Sequence, residues 1–279
     1  MRTHRSTILA VLAFVTTAAA CTIEGAARET ARTPQVVTVT ARDFAFGAPS
    51  SIPAGLTTIR LENGGEEMHH VQLVRLDEGR TIEELMAAAR AGDIAPAWAR
   101  LVGGPNTPGP GGTAEATLEL EPGSYAIVCV IPSPDGVPHL MKGMVKPLLV
   151  EPAATRRAAA ATPDVRMVLH DYGYDISPEI AAGRRTIRVE NAAEQPHEVI
   201  LLRLLPGSTT GDLLAWLHSM QGPPPAIPVG GTTMMSTGVA NEVTIDFEPG
   251  EHVLLCMVPD AGDGQPHVAH GMVRTITVR

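Results

Sequence analysis

The sequence predicts an all-β protein built as two tandem Greek-key β-sandwiches, each with one short inserted helix. Three observations predict it. The first is an internal duplication: Thr58-Ile59-Arg60-Leu61-Glu62-Asn63 returns as Thr186-Ile187-Arg188-Val189-Glu190-Asn191, and Glu121-Pro122-Gly123 returns as Glu248-Pro249-Gly250. One structural plan is therefore used twice. The second is a series of short runs in which apolar and polar residues alternate, the period of a half-buried strand. The third is composition: 27 Gly and 24 Pro among 279 residues supply turns, while aromatics make up only 3%. The cores must then be filled by Val, Leu, Ile and Ala.

Taken in order, residues 1–20 read as a signal peptide. Arg2 and Arg5 form a short positive region, Ile8 to Val15 an apolar stretch, and Thr16 to Ala20 a small-residue end. The apolar run is too short to span a bilayer. Cys21 directly follows, as the lipid-accepting Cys of a bacterial lipoprotein does, although Ala18 stands where such signals usually carry Leu. Residues 21–34 have no apolar period and read as a tether. A first domain is expected over 35–151, a linker over 152–163 with an Ala-rich centre between prolines, and a second domain over 164–279. The formal charge of −9 excludes a nucleic-acid partner, which needs a basic face.

In the first repeat, strands are expected at Val36 to Thr40, Thr57 to Leu61, Val71 to Leu76, Ala116 to Leu120, Tyr125 to Val128 and Val145 to Val150. The second gives Val165 to Leu169, Thr186 to Val189, Val199 to Leu204, Glu242 to Phe247, His252 to Leu255 and Val273 to Val278. Thr81, with Glu84 three residues on, can cap a helix within 81–92, and Thr209 with Asp212 one within 209–220. A Gly/Pro-rich crossing loop is expected after each helix, over Gly103 to Gly112 and Gln221 to Gly231. The two halves are not expected to share one continuous sheet.

The chemistry-bearing residues lie on one loop of each repeat. Cys129, His139 and Met144 return as Cys256, His267 and Met272, with a further imidazole upstream in each copy at His69 and His197. Two His, a Cys and a weak axial Met form the ligand set of a blue-copper electron-transfer site. The other imidazoles do not recur: His70 aligns with Glu198, His270 with Lys142, and His252 with Tyr125. A lone His or Met is usually a satisfied core or surface residue, so joint recurrence carries the assignment.

These residues resemble the cupredoxin family of plastocyanin- and azurin-like blue-copper proteins, present as two tandem cupredoxin-like copies. Asn191-Ala-Ala-Glu-Gln-Pro-His197-Glu-Val is similar to the family's segment around its first His, and Asn63 to Val71 matches with Met68 in place of Pro. His139-x-x-x-x-Met144-Val and His267-x-x-x-x-Met272-Val, each with Gly before the Met, are similar to its closing element. One departure is the distance from Cys to second His, where nine residues intervene in the first repeat and ten in the second. The family has only a few there.

The resemblance implies copper held by His69, Cys129, His139 and Met144, and again by His197, Cys256, His267 and Met272. It implies electron transfer or copper handling with a redox partner protein or a copper donor or acceptor. The chain is expected to be exported, periplasmic or at the cell surface, and to meet a membrane only through a lipid on Cys21. It is expected not to be an enzyme, because the His-x-His pairs and the His beside the site Cys that mark two-domain copper enzymes are missing from this sequence. The other reading is a metal-free cupredoxin-fold module with a binding or structural role.

Overall fold

Alternation of apolar residues turns directly into strands. The computed structural model of the chain describes residues 33–153 and 162–279. The signal segment, most of the tether with Cys21, and the centre of the linker lie outside these residues. In β1 (Gln35–Arg42), Val37, Val39 and Ala41 point inward while the residues between them face outward. The first half continues with β2 (Ala45–Gly47), β3 (Ser51–Pro53), β4 (Gly55–Asn63), β5 (Gln72–Leu76), α1 (Ile82–Arg90), β6 (Ala99–Gly103), β7 (Thr113–Leu120), β8 (Gly123–Val128) and β9 (Val145–Glu151). The second half repeats the order with β10 (Val165–His170), β11 (Gly173–Ser177), β12 (Gly183–Asn191), β13 (His197–Leu204), α2 (Thr210–Ser219), β14 (Ala226–Met235), β15 (Ala240–Phe247), β16 (Gly250–Leu255) and β17 (Val273–Val278). The all-β class with one short helix in each half holds.

Both helices start where their caps place them. Thr81 Oγ1 accepts from the Glu84 N–H at 3.2 Å, while Glu84 Oε2 accepts from the Thr81 N–H at 3.0 Å. Thr209 and Asp212 make the same reciprocal pair at 3.1 and 2.8 Å. Each box satisfies donors that the first turn would otherwise leave unpaired.

The strands lie in two layers. One runs in the order β11-β10-β12-β15-β7-β4-β1-β2, the other β17-β16-β13-β14-β6-β5-β8-β9-β3. Each half therefore contributes strands to both layers, with β1 parallel to β4 and β10 parallel to β12. The expectation of separate sheets is corrected here. The layers continue from one half into the other where β7 meets β15 (Thr117 opposite Glu242) and β6 meets β14 (Val102 opposite Met235). The buried core follows: one cluster mixes Val74, Leu101 and Ala116 with Val199, Met235 and Val243.

One joining strand falls where a crossing loop was expected, since β14 takes up 226–231 of the stretch from Gln221 to Gly231. Its glycines permit the approach. Gly231 has φ +122°, and a Cβ there would lie 1.9 Å from the Val199 carbonyl oxygen. Gly104, its counterpart after β6, has φ +141° and would meet Val71 O at 2.2 Å. Glycine in a strand here marks a close backbone contact, not a loop. Both contacts are made two residues after a candidate imidazole, so the junction between the halves lies directly behind the candidate sites.

Candidate metal centres

The first imidazole of each half is presented by a loop that an asparagine closes. At the end of β4 the buried Asn63 donates through Nδ2 to Glu67 O (2.9 Å) and accepts from the Gly65 N–H (3.0 Å), which folds the loop so that His69 points inward. Asn191, ending β12, does the same with Gln195 O (2.8 Å) and the Ala193 N–H (3.0 Å) ahead of His197. The recurring Asn is thus a loop-shaping residue.

The long stretch between Cys and second His returns on itself. Directly after β8, the Cys129 carbonyl accepts from Leu140 N–H at 2.7 Å and the Ile131 carbonyl from His139 N–H at 2.9 Å, while Pro132 bridges Pro138. In the second half Cys256 O accepts from Val268 N–H (2.8 Å), Val258 O from His267 N–H (2.9 Å), and Pro259 bridges Pro266. The added residues form the far end of a hairpin, so the extra length leaves Cys and His together. A single 3₁₀ turn, His139–Lys142 or His267–His270, then leads through Gly143 or Gly271 to the Met.

The predicted donors converge. His69 Nδ1 lies 3.1 Å from His139 Nδ1, and Cys129 Sγ 3.4 Å from His139 Nδ1. Cys256 Sγ lies 3.7 Å from His197 Nδ1 and 3.4 Å from His267 Nδ1. Within each trio the three donor atoms lie within 4.8 Å of one another, and all six side chains are buried. Met144 and Met272 are also fully buried. Their carbonyls accept from the Cys129 and Cys256 N–H groups, both at 3.3 Å, which sets the Met backbone beside the Cys. Both thiols are free.

The outer ring nitrogens decide which lone pairs face inward. His69 Nε2 meets Asp43 Oδ1 at 3.0 Å, His139 Nε2 meets Glu67 Oε2 at 2.8 Å, and His197 Nε2 meets Asp171 Oδ1 at 2.5 Å. A carboxylate accepts, so each of these Nε2 atoms carries the proton and its Nδ1 presents a lone pair to the centre. Two imidazole lone pairs 3.1 Å apart repel unless a proton or a cation lies between them. The fourth imidazole is looser. His267 Nε2 is 3.8 Å from Asp260 Oδ2 and makes no hydrogen bond, because that oxygen already accepts from Tyr172 OH at 2.5 Å and Gln195 Nε2 at 3.0 Å.

Burial sets the protonation of the donors. It holds His69, His197 and His267 below the usual imidazole value, so they are neutral near pH 7. It pushes the Cys129 thiol up to about 12 and the Cys256 thiol higher still. The hydrogen bond from His69 holds Asp43 below the ordinary carboxylate range. A cation entering either centre must therefore displace the thiol proton. A soft sulfur, two imidazole nitrogens and a buried thioether form a donor set that suits copper.

Several side chains at the centres are absent from the motif reading. Asp43, Glu67 and Asp171 orient three of the imidazoles, and Asp260 faces the fourth at 3.8 Å. Phe44 packs edge-on to His139 with ring centroids 5.3 Å apart, and Tyr172 packs likewise on His267 at 5.3 Å. Asp43-Phe44 and Asp171-Tyr172 stand at the 128-residue offset of His69 and His197, so their spacing in the sequence carried the signal. The unlike pair His70 and Glu198 do one job: His70 Nε2 accepts from Val130 N–H at 3.0 Å and Glu198 Oε1 from Met257 N–H at 3.2 Å, each just after the Cys. Asp171→Asn is expected to weaken metal binding in the second half about 10- to 100-fold, the usual cost of losing the partner that orients a ligating His. Competition titration against a chelator measures it, and an unchanged affinity would make Asp171 a bystander.

No family model and no curated protein sequence matches this chain. Among solved structures, it is similar to auracyanin A, a "blue" copper protein from the green thermophilic photosynthetic bacterium Chloroflexus aurantiacus, at 18% identity and a TM-score of 0.32, over 43% of this chain and 100% of that one. It is also similar to the blue copper oxidase of Nitrosomonas europaea (16% identity, TM-score 0.27, 88% of this chain and 86% of that one). A third is the copper-containing nitrite reductase of Thermus scotoductus SA-01 (13%, 0.25, 88% and 62%). The chain's own fold class is all-β, with one short α-helix in each half. The solved structures to which this chain is similar include enzymes, an oxidase and a reductase among them, so the expectation that the chain is not an enzyme is not retained. Among the described residues, no helix is long and apolar enough to cross a membrane.

Proposed function

We propose that the protein holds one copper ion in each half and uses the pair for electron transfer or copper handling. The ligands are His69, Cys129, His139 and Met144 in the first half, and His197, Cys256, His267 and Met272 in the second. The observation that carries this reading is the buried convergence, in both halves, of a thiol and two imidazole nitrogens, with three of the four rings held by carboxylates at their outer nitrogens. Bound copper supplies a one-electron couple. The surrounding residues do the rest: the Asn-closed loop and the hairpin fix two imidazoles and the sulfur in place, and their burial keeps water off the donors. Rigid donors favour electron transfer because little has to move when the charge changes.

In this reading residues 35–151 and 164–279 are two cupredoxin-like domains joined by 152–163. The chain is exported on the signal of residues 1–20, is tethered through 21–34 and Cys21, and exchanges electrons or copper with a protein partner.

The test is titration of the metal-free protein with cupric ion, followed in the visible. Intense red absorption from thiolate-to-copper charge transfer should saturate at two ions per chain. Cys129→Ala should leave about half of it, because the two trios use separate sulfurs, and the double variant with Cys256→Ala should show none. Colourless binding would point to another metal, such as zinc. Absence of binding would leave a metal-free sandwich. Turnover of nitrite or dioxygen by the loaded protein would make it a catalyst.

A further inference from the structure

The junction between the halves joins one candidate centre to the other through buried hydrogen bonds. His69 is followed by His70 and Val71, and the Val71 N–H donates to Pro105 O at 3.1 Å. Pro105 is followed by Asn106, whose Nδ2 donates to Glu198 Oε2 at 3.2 Å. Glu198 is bonded through its own peptide to His197, and its N–H donates to Cys256 Sγ at 3.5 Å. Two hydrogen bonds, together with the covalent bonds through His70 and the Glu198 side chain, therefore link His69 to His197. His70, Val71, Asn106 and Glu198 are all buried.

This strap is held from both sides. Asn106 N–H donates to Gly231 O at 3.1 Å, and Thr233 N–H donates to Gly104 O at 2.9 Å, a nearly two-fold exchange between the halves. Thr233 Oγ1 donates to Val71 O at 3.2 Å, and Asn106 Nδ2 is also within 3.2 Å of Val199 O and Thr232 O. A fold needing only two sandwiches side by side could use any apolar contact. Here a polar side chain from the first half is placed against the residue adjoining a ligand in the second.

Resting on the copper reading above, we infer that Val71, Pro105, Asn106 and Glu198 form a route by which the two centres exchange an electron within one chain. One electron leaves the reduced ion of one half, which becomes oxidised, and arrives at the oxidised ion of the other. No bond forms or breaks, and no proton needs to move. Asn106 is a positioning residue in this scheme: it completes the path without touching either ion.

The experiment uses the full chain loaded with two copper ions in a Met144→Gln background, where the altered axial ligand separates the two absorptions. After a reducing flash, re-equilibration between the bands should show a phase whose rate does not depend on protein concentration. Asn106→Ala should slow that phase several-fold with both bands retained, whereas Thr107→Val, next to the strap and outside it, should not. In the metal-free protein, Asn106→Ala should move the amide resonances of both Val71 and Met257. A phase that scales with concentration, a rate unchanged by Asn106→Ala, or unmoved amides would overturn the route while leaving the copper reading intact. Absence of any red absorption from either half of the unsubstituted protein would overturn both. Should Asn106→Ala fail to fold, Asn106→Ser, which keeps a small polar group but cannot reach Glu198, is held to the same outcomes.

Discussion

Gly231→Ala is expected to strip the second half of its metal and to remove a large share of the protein's stability. The new Cβ would lie 1.9 Å from Val199 O and 3.0 Å from Val199 C, both backbone atoms that no rotamer change can move aside. Relief requires β13 to shift, and β13 begins at His197. The left-handed φ of +122° adds strain of about 1–3 kcal/mol. Overpacking adds roughly 1–3 kcal/mol more, a serious loss for a fold that is only marginally stable. Gly104→Ala should do the same to the first half through Val71 O. Gly109→Ala is the control, since its Cβ would meet only Pro228 Cγ at 3.9 Å. Urea midpoints and the copper band of each half read the result. Equal midpoints for Gly231→Ala and Gly109→Ala would show that the close approach is not needed.

Copper affinity should rise about tenfold for each pH unit between roughly pH 7 and 10, because each ion displaces one thiol proton. The sign follows from the directions of the shifts. Cys129, pushed up to about 12 by burial, and Cys256, pushed higher, hold their protons throughout this window in the metal-free protein. His69, His197 and His267, held below their ordinary value by burial, have none to lose there. Calorimetry in buffers of different ionisation enthalpy should count one proton released per ion. A count near zero would exclude the thiols as ligands. The metal-free fold should also be acid-sensitive. Burial holds His70 down at about 3, so below about pH 6.5 the unfolded chain takes a proton there that the folded chain refuses. Its contribution to stability is full above that pH and is lost progressively as the pH falls toward 3.

What could be read from the residues was whatever depends on local chemistry or on exact recurrence. Thr81 and Thr209 announced their helices because a capping box is complete within four residues. The eight candidate donors stood out because they recur when neighbouring His residues do not. The returning hairpin was harder to see, although Pro132 and Pro138 recur as Pro259 and Pro266, because a long Pro/Gly loop has no period that fixes its path. β14 escaped for a related reason: Gly230 and Gly231 read as loop residues until the carbonyl of Val199 explains why no side chain fits. Asp43, Glu67 and Asp171 act through contacts 26 to 72 positions away along the chain, and Asp260 lies too far from His267 to bond, so spacing could not single them out.

The carboxylate facing the second imidazole comes from different loops in the two halves. In the first it is Glu67, on the loop of His69, with Ser133 on the Cys loop. In the second it is Asp260, on the Cys loop, with Gln195 at the position of Glu67. The two Cys-to-Met segments are consequently not interchangeable parts. Grafting 256–272 onto the first half would set a second carboxylate against Glu67, and two like charges at that spacing would force one to keep its proton. The reverse graft would put Ser133 beside Gln195 and leave the imidazole with no anion at all. Each loop has been fitted to its own opposite number, so a working chimera would have to exchange residues 67 and 195 along with the segments.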